Sequence, residues 1–299
     1  MRILLFLITN AAVLLLVSVL YHLLGLGHLL QQQGVHLNLD SLLLSSAVLG
    51  MSGSFISLLL SKWMAKQSMG VFVIENPRNP TEAWLLDTVA HLARQAGIGM
   101  PEVGIFETQD PNAFATGMSR DSALVAVSTG LLRSMDAREV EAVLAHEISH
   151  VANGDMVTLG LIQGVVNTFV YFLASVAGHV VDRVLFRSND DRNSGYGPAY
   201  YITQMLMQLV LSILATMIVM AFSRWREYRA DAGGARLAGT GNMINALRAL
   251  QRTHESADLP GEMAAFGISG SGSSWHQWFM SHPPLEQRIA ALQRGEARS

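Results

Sequence analysis

Residues 145–150 read Ala-His-Glu-Ile-Ser-His, an H-E-x-x-H pattern in a segment that predicts a helix. His146 and His150 are four residues apart, so they lie one turn apart on the same helix face, where both imidazoles can reach one zinc ion. Glu147 then stands beside the open position of the metal, where a carboxylate can accept a proton from water. The pattern can also arise by chance, so the rest of the chain has to distinguish a zinc site from a coincidence.

The composition indicates a membrane protein. Half of the 299 residues are hydrophobic and 14% are charged, whereas an ordinary soluble domain has about 25% charged residues. The net charge of -3 and the lack of a Lys/Arg run give no reason to expect a nucleic-acid partner. The absence of cysteine excludes disulfides and thiolate metal sites.

Four apolar runs without Asp, Glu, Lys or Arg are each long enough to cross a bilayer: Ile3–Leu24, Ser41–Ser61, Met156–Val181 and Tyr200–Phe222. The sequence therefore predicts a mainly α integral membrane protein with four transmembrane helices. Two alternatives stay open, because the first run can be a cleaved signal peptide and the last two can form a buried hairpin of a soluble core. The small-residue spacing of Gly160 and Gly164 is too common to predict an oligomeric state.

The positions of the basic residues predict the orientation of these spans. Short loops rich in Lys and Arg remain in the cytoplasm, and the 25–40 loop contains neither residue. We therefore expect both termini, and the segment between the second and third spans, to be cytoplasmic. The basic residues that mark this side are Arg2, Lys62, Lys66, Arg78, Arg224 and Arg226.

The segment between the second and third spans has the pattern of a small α+β domain. It predicts an amphipathic helix at 81–96, strands at 102–106 and 123–127, and a helix that opens at Asp136 with Glu139 completing a capping box. The intervening Asn112–Gly117 can be an edge strand that holds an extended substrate by main-chain hydrogen bonds, or a plain hairpin that supports the helix. In the first case Asn112, Ala113 and Phe114 are candidate substrate-binding residues.

A catalytic zinc needs a third protein ligand, and Glu227 is the candidate. It follows the fourth apolar run, and an antiparallel hairpin of the last two runs brings it near His146 and His150. Asp231, one turn further on, can accept a hydrogen bond from the outer nitrogen of a ligating histidine. The alternative is a solvated face on which these carboxylates pair with the neighbouring arginines.

The chain resembles the M48 membrane zinc metallopeptidases along essentially its whole length. The resemblance rests on Ser61-Lys-Trp-Met-Ala65, Asn112-Ala-Phe-Ala-Thr-Gly117, His146-Glu-Ile-Ser-His-Val-Ala-Asn-Gly-Asp155, Glu227-Tyr-Arg-Ala-Asp231 and His282-Pro-Pro284. It implies a zincin-like peptidase domain with a small edge-stranded sheet, and one zinc ion held by His146, His150 and Glu227. It further implies that Glu147 is the general base, that His282 and Arg288 steady the developing oxyanion, and that the Asn112 segment is the substrate side.

These observations predict a zinc endopeptidase in a bacterial cytoplasmic membrane, with its active site at the cytoplasmic face. The resemblance implies that its substrates are misfolded or damaged membrane proteins, in quality control and the stress response. The expected divisions are a membrane anchor at 1–66, peptidase segments at 67–155 and 224–299, and a transmembrane hairpin at 156–223. In the last segment we expect helices at 242–252 and 284–293, and a flexible Gly/Ser-rich stretch at 267–274.

Two other functions remain possible from the sequence. An intramembrane-cleaving protease would carry its H-E-x-x-H inside a span, which the charges Arg138, Glu139 and Glu141 disfavour. A non-catalytic membrane scaffold would use zinc structurally, and would have no use for Glu147 beside an open metal position.

Overall fold

The computed structural model describes residues 37–185, 196–257 and 281–295, together with a few single positions between 15 and 28. The described elements are α1 (Leu39–Met69), β1 (Phe72–Val73), α2 (Pro80–Ala96), β2 (Glu102–Phe106), β3 (Ala113–Thr116), β4 (Leu124–Ser128), α3 (Thr129–Ser134), α4 (Ala137–Asn153), α5 (Asp155–Leu185), α6 (Pro198–Ala238), α7 (Thr240–Ala257) and α8 (Leu285–Arg294).

The chain divides into two compact units. One comprises 1–56 and 160–219, and the other comprises 57–159 and 220–299. We refer to them as the apolar unit and the peptidase unit.

Three long helices contain the apolar runs that the structure describes. By length and composition, α1, α5 and α6 can each cross a membrane. In the apolar unit, α1 and α5 approach so closely that a Cβ placed on Gly50 would lie 2.5 Å from the backbone nitrogen of Thr168. The first predicted span, Ile3–Leu24, lies outside the described residues apart from single positions.

The peptidase unit contains a four-stranded sheet in the order β1-β2-β4-β3. Strands β2 and β4 are parallel, whereas β1 pairs antiparallel with β2 and β3 pairs antiparallel with β4. The strand predicted at 102–106 is confirmed, and the one predicted at 123–127 is shifted by one residue. The Asn112–Gly117 segment contains β3, which is one arm of a hairpin with β4 and also lies at an edge of this sheet.

The helix that contains the H-E-x-x-H pattern is α4, and it lies between α2, α7 and β3. The predicted capping box is confirmed. The Asp136 side chain accepts hydrogen bonds from the backbone N–H groups of Arg138 and Glu139, and the Glu139 side chain accepts one from the backbone N–H of Asp136. The helix ends at Gly154, whose φ of 70° lies in the left-handed region that glycine adopts readily. Most of its faces are covered: Val140, Leu144 and Ile148 belong to the core shared with the sheet and the neighbouring helices.

Helix α6 continues without a break from the predicted fourth span through the predicted third ligand. The sequence has no Pro or Gly between residues 199 and 232 that would interrupt it. The helices expected at 242–252 and 284–293 are observed as α7 and α8, with slightly different ends. The stretch at 267–274 lies outside the described residues.

Candidate metal centre

Three predicted ligands converge in the peptidase unit. Nε2 of His146 lies 3.1 Å from Nε2 of His150, and the Glu227 carboxylate faces both. Oε2 of Glu227 is 3.5 Å from Nε2 of His146, and Oε1 is 3.2 Å from Nε2 of His150. One donor atom from each residue lies within 4.8 Å of the other two. Helix α4 therefore provides two donors on one face, and α6 provides the third.

Each histidine is held at its outer nitrogen by an aspartate. Nδ1 of His146 is 3.0 Å from Oδ1 of Asp231, and Nδ1 of His150 is 2.7 Å from Oδ2 of Asp155. Both aspartates are buried. A carboxylate at Nδ1 keeps the proton on that nitrogen and leaves Nε2 free to coordinate a metal.

Arg288 lies behind this arrangement and contacts Asp231 through two nitrogens. Its Nε is 2.8 Å from Oδ2 of Asp231, and one terminal nitrogen is 2.6 Å from Oδ1. The guanidinium is buried, and its other terminal nitrogen is 3.5 Å from Oε2 of Glu227. Arg288 was predicted to steady the oxyanion; in the structure its shortest hydrogen bonds go to Asp231, the carboxylate that orients His146.

His282 and Glu147 are more accessible than the three converging donors. The His282 side chain is 60% exposed, and its Nδ1 lies 2.7 Å from Oε2 of Glu227. Glu147 is half-buried, next to His146 in α4. Both are therefore less enclosed than the three converging donors, as groups that meet a substrate or water should be.

The electrostatics favour positive charge between the carboxylates. Burial alone would lower the pKa of His146, but hydrogen bonds to Asp231 and Glu227 outweigh it and raise that pKa to about 10. Burial raises the pKa of Glu227, yet its contacts with His146, His150 and His282 hold it well below the ordinary value. In Asp231 burial is outweighed by Arg288 and His146, so its pKa falls to about 2. The carboxylates thus stay ionised and attract a cation.

The donor set fits a divalent metal. Two imidazole nitrogens and a carboxylate are ligands that zinc uses in catalytic sites, with a further position left for water. Oε1 of Glu227 is buried and makes no hydrogen bond, although Nε2 of His150 lies 3.2 Å away, and a buried oxygen of this kind is costly unless something binds it. A metal ion between these three side chains would satisfy it.

The edge strand adjoins the same helix. Ala113 and Phe114 lie in β3, which contacts α4, and both are partly exposed. Asn112 precedes the strand and is exposed, while its backbone N–H donates to Oγ of Ser128 at 2.9 Å. The structure thus brings the edge strand and the metal helix together. The backbone N–H of Asn112 is already occupied by its hydrogen bond to Ser128, the last residue of β4.

Comparison with known proteins identifies the family. The sequence profile of "Peptidase family M48" matches residues 79–296, which is most of the chain. The chain belongs to peptidase family M48. It is 61% identical to "Protease HtpX" of Thioalkalivibrio sulfidiphilus, over 97% of this chain and 98% of that one. It is 59% identical to "Protease HtpX homolog" of Nitrosomonas europaea, over 98% of each chain.

A solved structure also has a similar fold. The crystal structure of S. mikatae Ste24p superposes with a TM-score of 0.60 at 19% identity, and the match covers 93% of this chain and 66% of that chain. Family membership and the full-length relatives confirm the predicted activity, a membrane-bound peptidase of the zinc metallopeptidase class. The three long apolar helices and the four-stranded sheet among the described residues agree with an integral membrane protein of this class.

Asp155 has no predicted role, although it ends the His146–Asp155 stretch that carries the resemblance to the family. The signal was present: Gly154 ends α4, so the next side chain can return to the last turn of the helix and reach His150. The pairing of Arg288 with Asp231 had no comparable local signal, because the two residues lie on α8 and α6 and meet only through the fold.

Proposed function

We propose that this M48 peptidase is a zinc endopeptidase with four transmembrane helices, and that it cleaves misfolded or damaged membrane proteins at the cytoplasmic face of a bacterial inner membrane. The observation that carries this proposal is the convergence of His146, His150 and Glu227, with Glu147 next to His146 in α4. In the proposed division, 1–66 is the first anchor and 156–223 is a membrane hairpin. The peptidase domain is formed by 67–155 and 224–299.

The residues around the metal have distinct proposed roles. When bound, zinc supplies Lewis-acid polarisation of the scissile carbonyl and lowers the pKa of water. Glu147 accepts the proton of the attacking water and transfers it to the leaving amine. His282 is exposed enough to donate a hydrogen bond to the oxyanion as it develops. Arg288 and Asp231 orient His146, and Asp155 orients His150.

The proposed orientation is supported by the ends of the apolar helices. Lys62 and Lys66 follow the second span, and Arg224 and Arg226 follow the fourth. Trp63 and Trp225 stand at the same ends and are 61% and 52% exposed, as expected of aromatic residues at a membrane interface. Glu227 follows two residues after Trp225, so the catalytic centre lies next to the cytoplasmic interface in this topology.

The proposed substrates follow from the family resemblance and from strand β3. An edge strand recognises the main chain of an extended peptide, so it accepts many sequences but requires a locally unfolded segment. Asn112, Ala113 and Phe114 are proposed to line this side of the substrate. Cleavage of unfolded segments of membrane proteins is consistent with quality control under stress.

The test compares Glu147→Gln with the wild-type protein, purified in detergent, loaded with zinc and given an unfolded substrate. We expect zinc binding to persist and cleavage to fall by at least about 100-fold, since general-base catalysis contributes about 10²–10⁴-fold. Unchanged cleavage would refute the mechanism. Glu227→Ala tests the ligand assignment, and zinc binding equal to that of wild type would refute it.

The topology needs a separate measurement. A reporter that is active only outside the cytoplasm, fused between the third and fourth spans, should be active, whereas the same reporter fused at the C-terminus should be silent. A cytoplasmic location of the first fusion would exclude the four-span arrangement.

A further inference from the structure

Two glycines let the helix of Glu227 approach the metal-binding helix unusually closely. A Cβ placed on Gly233 would lie 2.5 Å from Oγ and 2.7 Å from Cβ of Ser149. A Cβ on Gly234 would lie 3.1 Å from the backbone nitrogen and 3.2 Å from Cα of His146. Gly233 follows Asp231 by two residues in α6, and Ser149 immediately precedes His150 in α4.

Ser149 cannot yield easily to a larger residue. It is 4% exposed, and its hydroxyl donates to the carbonyl oxygen of Ala145 at 2.7 Å. Turning the hydroxyl away would relieve only the contact with Oγ. Because Cβ of Ser149 is fixed to the helix backbone, a methyl group on residue 233 would still force α4 and α6 apart by about 0.7 Å to reach an ordinary contact of 3.4 Å.

A displacement of this size matters at the metal centre. The two helices that would separate are the ones that hold the donors, His146 and His150 on α4 and Glu227 on α6. Metal–ligand distances tolerate only about 0.2 Å of variation. The buried Oε1 of Glu227 makes no hydrogen bond and faces Nε2 of His150 at 3.2 Å, so this carboxylate is directed at the donors of α4 across the same helix crossing.

We propose that Gly233 and Ser149 form a positioning contact, which sets the separation of α4 and α6 at the value that allows Glu227 to join the two histidines on one metal ion. The inference rests on the proposed function, since it assumes zinc as the metal. Neither Gly233 nor Ser149 is proposed to contact the substrate. Gly234 extends the same contact to the backbone of His146.

The experiment measures zinc affinity by competition with a chromophoric chelator, in the full-length protein in detergent, beside thermal unfolding with and without zinc. We expect Gly233→Ala to lower the affinity at least ten-fold. Ser149→Gly removes both atoms that the new methyl group would meet. The double variant Ser149→Gly/Gly233→Ala should therefore regain most of the affinity, to within about three-fold of Ser149→Gly alone.

A matched control is Gly241→Ala, because a Cβ at this helical glycine of the same unit would meet nothing within 4 Å. Its zinc affinity should equal that of wild type. A loss of melting temperature alone in Gly233→Ala, with affinity within two-fold of wild type, would overturn the inference and leave only a packing role.

The double variant also decides the case in which Gly233→Ala does not fold. Recovery of folding and of zinc affinity by Ser149→Gly would support the positioning contact, whereas a double variant that remains defective would overturn it. Failure of the wild-type protein to bind zinc would refute the proposed function instead, so the two failures are distinguishable.

Discussion

Asp155 and Asp231 orient one histidine each, but they differ in what else they contact, and this difference gives a sharp prediction. Asp155 accepts from His150 at 2.7 Å. Asp231 contacts His146 at 3.0 Å and also accepts two hydrogen bonds from the buried guanidinium of Arg288. We therefore compare Asp155→Asn with Asp231→Asn, two isosteric changes that each remove one carboxylate charge.

Both variants should bind zinc more weakly. Loss of a partner that orients a metal ligand costs about 10–100-fold in affinity, which is about 1.4–2.7 kcal/mol. Only Asp231→Asn should also destabilise the metal-free protein strongly, because the buried charge of Arg288 loses its two short hydrogen bonds to a carboxylate and keeps only the contact with Glu227 at 3.5 Å. Breaking a buried pair in this way costs about 3–5 kcal/mol. For Asp155→Asn the amide oxygen can still accept from Nδ1, so the cost should be about 1 kcal/mol.

The assay combines chelator competition with thermal unfolding in excess chelator. We expect similar losses of zinc affinity in the two variants but a much lower melting temperature for metal-free Asp231→Asn. The reasoning would be refuted if Asp155→Asn bound zinc within two-fold of wild type, or if the two metal-free variants melted at the same temperature. Replacing both Asp231 and Arg288 by uncharged residues of similar size should recover part of the stability but not the affinity.

Three further predictions concern other parts of the peptidase unit. Burial opposes ionisation of Glu102, but Lys62 at 2.7 Å and Lys66 at 2.5 Å outweigh it and lower its pKa below the ordinary 4.5. The stabilisation from this pairing is therefore complete above pH 4.5 and is lost as the pH falls through the lowered pKa. Glu102→Gln should reduce the free energy of unfolding at pH 7 by at most about 1 kcal/mol, seen as a slightly lower melting temperature, and should have no effect in strong acid. Glu107→Gln, at an exposed position, should have no effect at either pH. Asp136→Ala removes the capping box of the metal helix and should cost about 1 kcal/mol in thermal unfolding of the metal-free protein, and an unchanged melting temperature would contradict this role. Removal of the metal by a chelator should abolish cleavage and lower the melting temperature, and added zinc should restore both, since a ligand at 100 times its Kd stabilises the fold by about 2.7 kcal/mol.

The local features of the metal helix were predictable because they depend on neighbours in sequence. The four-residue spacing of the histidines, the capping box at Asp136 and the stop at Gly154 follow from helix geometry and from backbone groups that need partners. The long apolar helices were predictable for a similar reason, since length and composition decide whether a segment can cross a bilayer.

The contacts across the fold were harder to predict. A hairpin of the last two apolar runs is enough to bring Glu227 toward the histidines, whereas the pairing of Arg288 with Asp231 depends on where α8 packs against α6. The parallel pairing of β2 with β4 likewise depends on the β3 arm folding outside β4 rather than between the two strands. Neither the Arg288–Asp231 pair nor the β2–β4 pairing can be predicted from the residues that form it, because each of these residues could also pair with several other parts of the chain.

The buried pair of Arg288 and Asp231 has a cost that stability alone does not explain. Two charges lose their hydration when they are buried, and replacing such a pair by well-packed apolar residues is often neutral or stabilising. An apolar pair could not hold Nδ1 of His146, whereas Asp231 does so with one oxygen that Arg288 fixes in place. Because His146 must keep its proton on Nδ1 for Nε2 to face the metal, the value of the pair lies in the tautomer and orientation of one ligand. Arg288 would then serve the reaction through His146 rather than through direct contact with the oxyanion. A conservative Arg288→Lys change should accordingly weaken zinc binding, since a single ammonium cannot hold both oxygens of Asp231.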